Sequence, residues 1–90
     1  METQATQAIR KDAQTLHNET TLFCNASERS VSRINATMQA VLVQIANETD
    51  TRQLSLHAKN LVHIAEALLQ KENKVTEYKE RIEFYAKLIK

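Results

Sequence analysis

The side chains able to do chemistry are few and scattered. Cys24 is the single cysteine, and histidines stand at His17, His57 and His63. A metal centre needs several Cys, His or carboxylate ligands converging on one point. His57 and His63 are six residues apart, nearly opposite in phase on a helix of 3.6 residues per turn. His63 and Glu66 share a face, but two ligands do not hold a catalytic metal, and neither HExxH nor CxxC occurs. No serine, threonine or cysteine sits in a nucleophile elbow. Glu77, Glu80 and Glu83 are interleaved with Lys79 and Arg81, the arrangement of a solvated helix flank. No catalytic residue, metal or cofactor is expected, and the chain reads as a non-enzyme.

Three further signals have bland readings that outweigh the sharp ones. Cys24 has no partner for an internal disulfide, so it reads as a small buried apolar group, and a cytoplasmic location is expected. Four Asn-x-Ser/Thr triplets begin at Asn18, Asn25, Asn35 and Asn47, but the N-terminal METQATQAIRKDAQ lacks the apolar core of an export signal. Six cations at Lys71, Lys74, Lys79, Arg81, Lys87 and Lys90 could meet phosphates. The acids among them and a net charge of only +1 leave a nucleic-acid-binding regulator as the second reading.

The elements that must position these residues are helices. The 90 residues include no glycine and no proline. Tight hairpin turns of a sheet normally draw on glycine, and Gly-rich phosphate loops require it. In the second half, Leu54, Leu61, Leu68, Val75, Ile82 and Ile89 follow at steps of seven. Ile64, Tyr78 and Tyr85 fall three residues after members of that ladder, and Ala58 and Ala65 four after, which is one helix face. A helix over about 51–89 is expected, its outer side laced by Glu77–Arg81 and Glu83–Lys87 pairs at i,i+4. The first half carries a thinner stripe of Ala5, Ile9, Ala13, Leu16, Thr20 and Phe23, resuming as Val31, Ile34, Met38, Val41 and Ile45 with Leu42 beside it. A helix over about 3–47 is expected. Asn25 and Glu28 have the spacing of an N-cap and its partner, so a kink at 24–30, or a break giving three helices, is the alternative. The turn falls at about 47–51, with Asp50 and Gln53 spaced as a capping box.

The fold expected is therefore all-α, a long antiparallel helical hairpin forming one domain over 1–90. No uncharged run spans a bilayer: Ile34–Asn47 is too short and contains Asn, Thr and Gln. A hairpin has one seam, yet Met38, Val41, Leu42, Val43 and Ile45 cover more of the helix circumference than one neighbour can hide. A dimeric or hetero-oligomeric helical bundle follows, with the chain itself or another helical protein as partner. The interface residues expected are Ile34, Met38, Val41, Leu42, Ile45, Leu54, Leu61, Leu68, Val75, Ile82, Tyr85 and Ile89. The role implied is that of an adaptor, small chaperone or complex subunit.

Overall fold

The chain reverses direction once, and without glycine it does so through extended backbone. The structure is a computed structural model that describes residues 3–90: helix α1, Gln4–Asn47, and helix α2, Thr51–Ile89, packed as an antiparallel hairpin. After α1, Glu48 turns to φ −86° and ψ 135°, and its N–H donates to the Ile45 carbonyl at 3.4 Å. The Glu48 carboxylate then accepts from the Thr49 and Asp50 N–H groups at 3.1 and 3.0 Å. Asp50 caps α2, accepting from the Arg52 N–H at 2.8 Å. The expected capping box does not form: Asp50 accepts from the N–H two residues on rather than three, and Glu48 rather than Gln53 takes the Asp50 N–H. At the other end Thr3 caps α1 by accepting from the Thr6 N–H at 3.1 Å.

Helix α1 is continuous through residues 24–30, so the hairpin has two helices and not three. Its register explains why. Covered positions of α1 recur at alternating steps of four and three: Thr6, Arg10, Ala13, His17, Thr20, Cys24, Ser27, Val31, Ile34, Met38, Val41 and Ile45. Those of α2 do the same at Leu54, His57, Leu61, Ile64, Leu68, Val75, Tyr78, Ile82, Tyr85 and Ile89. Lys71 holds the one place in that series that stays exposed. This is the heptad seam of two helices packed at a shallow angle. Cys24 and Ser27 belong to it, so a break near Asn25 would remove two members of the row.

The first half of α1 corrects the expected stripe. Ala13 and Thr20 are buried as anticipated, but Ala5, Ile9, Leu16 and Phe23 are exposed, and Thr6, Arg10, His17 and Cys24 are covered instead. Both rows have helical spacing and share Ala13 and Thr20. Continuity with Val31, Met38 and Ile45 selects the second, because α2 must stay on one side of a straight α1. The small α1 residues also fit the bulky row of Tyr78, Ile82 and Tyr85 that the antiparallel path brings to this end. On α2, Ala58 and Ala65 are likewise exposed, with His57 on the seam beside Leu54 and Leu61.

The hairpin measures 73 × 14 × 13 Å with a radius of gyration of 20.5 Å, against about 12 Å for a compact chain of this length. Its accessible surface is 6940 Å², whereas a compact monomer of 10.3 kDa exposes about 5,400 Å². Among the described residues only Ala13, Thr20, Cys24 and Val41 are buried, all on α1. A rod two helices thick leaves every other seam residue with one flank in water.

Asp50→Ala removes the side-chain acceptor at the start of α2. Loss of about 1 kcal/mol of stability is expected, read as a lower thermal midpoint by circular dichroism. An unchanged midpoint would show that the cap is redundant with the Glu48 contacts.

Candidate interaction surface

Eleven of the twelve expected interface residues stand on the inner seam. Val41 is buried, and Ile34, Met38, Ile45, Leu54, Leu61, Leu68, Val75, Ile82, Tyr85 and Ile89 are half-buried. Leu42 points away from the seam and is exposed. The structure therefore brings these side chains together within the chain, leaving their outer edges to line the grooves on either side. One groove is lined by Ile34, Ala67, Lys71, Lys74 and Glu77. The other contains Glu28, Val31, Glu72, Val75 and Lys79, and is bridged by an ion pair between Lys79 and Glu28 at 3.4 Å.

Several of the large apolar side chains left exposed are ones the stripe reading placed on the covered face. Ile9, Leu16 and Phe23 form a row on α1 at steps of seven, one residue before the seam positions Arg10, His17 and Cys24. Across the seam on the same face lie Phe84 and Leu88 of α2. Phe23 meets Tyr78 with ring centroids 6.3 Å apart, and Phe84 meets Tyr85 edge-on at 5.9 Å. All four aromatic residues of the chain thus lie in the half of the hairpin away from the turn, from Phe23 and Tyr78 near its middle to Phe84 and Tyr85 toward the open end. A second exposed group, Leu42, Val62 and Leu69, lies on the opposite face toward the turn. The sequence signal for both was present, since apolar residues off the seam phase cannot be covered by the one neighbouring helix.

Several polar side chains are occupied locally. Lys74 pairs with Glu77 at 3.3 Å, while the expected Glu77–Arg81 and Glu83–Lys87 pairs are not closed. Arg81 instead stands over the Tyr78 ring, 6.0 Å from its centroid. His57 on the seam lies 3.8 Å from the second oxygen of Glu48, the same carboxylate that holds the turn. Two of the Asn-x-Ser/Thr triplets have a packing explanation: Thr20 is buried and Ser27 half-buried on the seam, where small residues face bulky ones. Thr37 returns its hydroxyl to the Arg33 carbonyl at 3.0 Å.

Cys24 is free and buried, with Sγ 3.8 Å from a Glu28 carboxylate oxygen. Burial raises its thiol above the ordinary 9.0, Glu28 adds to the rise, and Lys79 opposes it. Because the fold disfavours the thiolate, this contribution to stability is complete below the ordinary thiol value and is lost as pH climbs past it. Wild type is expected to lose stability from pH 8 to pH 10 faster than Cys24→Ala in urea titrations at each pH. Parallel slopes would show that the thiol is not coupled to folding.

Among the described residues, no group of three or more His, Cys, Asp or Glu is placed to hold a metal ion. No helix there is long and apolar enough to cross a membrane. Among the described residues one buried side-chain polar atom lacks a partner, Nδ1 of His17 in the seam. An orphaned polar atom of this kind costs about 1–3 kcal/mol. His17→Leu is therefore expected to raise the thermal midpoint, and a lower midpoint would contradict this placement of the ring. No family model, curated protein or solved structure matches this chain.

Proposed function

We propose that the chain is a non-enzymatic association module, an adaptor, small chaperone or subunit of a larger complex, which acts by contributing its two helices to a bigger helical bundle. The observation that carries this reading is the uncovered apolar surface. Eleven large apolar side chains, among them Phe23, Leu69 and Phe84 at 59% exposure, are spread over a rod that exposes about 1,500 Å² more than a compact monomer of its mass. Large apolar side chains left exposed in groups, such as Ile9, Leu16 and Phe23 on one row, are the mark of an association surface. The surface is convex and the two grooves run open along the rod, which suits side chains of another helix better than a desolvated substrate. Its partner is a second copy or another helical protein.

The cations of α2 do not favour the nucleic-acid reading. Lys74 and Lys79 are each engaged by a glutamate and Arg81 by a ring, so half of the six are held within the hairpin.

The test is capture from an extract of the source organism with the full chain as bait, beside two variants. Leu61→Asp places a charge on the inner seam and is expected to cost the helical signal and the captured protein together. Replacement of the outward residues Leu22 and Phe23 by Gln is expected to keep the helix and lower the capture. If the full chain captures nothing and does not self-associate, the association reading is wrong; an outward variant that captures as the wild type does would place the surface elsewhere on the rod.

A further inference from the structure

We infer that the first half of α1 has two registers against α2: the observed one, and a second, turned about the helix axis, that exchanges Arg10, His17 and Cys24 for Ile9, Leu16 and Phe23. The use of this exchange rests on the association reading, because the turn withdraws an exposed apolar row. The exchange itself does not.

Spacing is the first support. The observed row keeps seven-residue steps from Arg10 through His17 and Cys24 to Val31. A second row runs through Ile9, Ala13, Leu16, Thr20, Phe23, Ser27 and Val31, and joins the first from there to Ile45. Its steps alternate between four and three, with one pair of consecutive fours from Phe23 through Ser27 to Val31. Thr20 to Val31 is thereby a repeat of eleven residues in place of seven. Seven residues fall about 20° short of two turns of a straight helix, and eleven pass three turns by about 20°. A continuous α1 can therefore carry either row. Ala13, Thr20, Ser27 and the seam residues from Val31 onward belong to both, so only the three positions exchanged distinguish them. Passing from one to the other turns the segment before Thr20 by about 50°, half the step between successive residues.

Opposed preferences are the second support. Hydrophobicity favours the turned register, since Ile9, Leu16 and Phe23 are exposed while the seam holds Arg10 and the unpartnered Nδ1 of His17. Size and charge favour the observed one. Small Thr20 and Cys24 are buried against the tyrosine and isoleucine row, where Leu16 and Phe23 would set bulk against bulk. The bridge from Glu28 to Lys79 ties the two helices within the eleven-residue stretch. Glu28 lines the groove on the far side of the seam from Phe23, so a turn that carries Phe23 inward carries Glu28 away from Lys79. The path is short, because Phe23 already meets the Tyr78 ring at the edge of the seam, with centroids 6.3 Å apart. Opposed preferences of this kind leave two packings of one sequence close in free energy. The observed register displays the Ile9–Phe23 row to a partner and the turned one withholds it, which makes the Glu28–Lys79 bridge a latch on association.

Labelling of Cys24 by a small neutral thiol reagent, in the full chain and over urea concentrations below unfolding, tests this. Cys24 is buried in the observed register and leaves the seam in the turned one. Turning a helix exposes little new surface, so wild-type labelling is expected to be nearly independent of urea. Leu16→Gln with Phe23→Gln should slow it at least tenfold while far-UV circular dichroism stays helical. Arg10→Leu with His17→Leu should slow it too, by making the observed row apolar. Lys79→Gln should speed it severalfold, although loss of the lysine by itself leaves the thiol less ionised and slower to react. Wild-type labelling that climbs steeply with urea from the start would mean that Cys24 is reached by unfolding, and overturns the second register. Equal labelling of the wild type and the Leu16 and Phe23 variant overturns it as well. A slower or unchanged Lys79 variant removes the latch. No partner enters these measurements, so their failure leaves the association reading standing, and a failure of capture leaves the two registers standing.

Discussion

Two cylinders in contact can hide only one stripe on each, and this constraint governs the whole hairpin. Nearly every covered residue of the two helices lies on a 3-4 row, and most of what stands outside that row meets water whatever its chemistry. Helix α1 carries more apolar rows than one neighbour can serve. The row through Val31, Met38 and Ile45 faces α2, and the row through Ile9, Leu16 and Phe23 is left outside. Exposure at the open end is thus a consequence of helix straightness combined with a stripe that shifts by one position along the sequence. A kink near residue 25 would have allowed both rows to turn inward, but the backbone runs through that point without interruption.

The hairpin was legible because glycine and proline are absent and because the ladder from Leu54 to Ile89 repeats without a phase change. Its members Leu61, Leu68, Val75 and Ile82 all face α1. The first half was legible only in part. Ala13 and Thr20 belong to both rows that hydrophobicity allows, so the sequence pattern there has two solutions of equal spacing. Apolar content favours Ile9, Leu16 and Phe23, whereas the structure takes Arg10, His17 and Cys24, and the deciding information lies about twenty residues downstream. Local periodicity carries no knowledge of which side the second helix must occupy. The same blindness applies at the turn, where Glu48 displaced Gln53 as the acceptor for Asp50: side-chain reach around a non-glycine turn depends on the path of the backbone, not on spacing.

The polar residues of the inner row divide the molecule into two unlike halves. Near the turn, aliphatic residues meet on both helices, at Ile34, Met38, Val41 and Ile45 on one side and Leu54, Leu61, Ile64 and Leu68 on the other. Toward the open end, α1 offers Thr6, Arg10, His17, Thr20 and Ser27 to a row of tyrosine and isoleucine. Thr20 and Cys24 are nevertheless buried, because a small side chain opposite a large one is covered by it. The same size mismatch places hydroxyls on the seam and accounts for two of the four glycosylation-like triplets without any modification.

That division has a kinetic consequence. Joining Ile45 to Leu54 closes a loop of only a few residues, whereas joining Ala13 to Ile89 first would close most of the chain, and the entropy of loop closure grows with its length. The aliphatic half is also the half with the shorter loops, so both effects favour the same starting point. The hairpin therefore zips from its turn outward, each layer shortening the span still to be closed. Accordingly, amide protons near Val41 and Leu61 should exchange last, and the aromatic half should be the final part to join and the first to come apart.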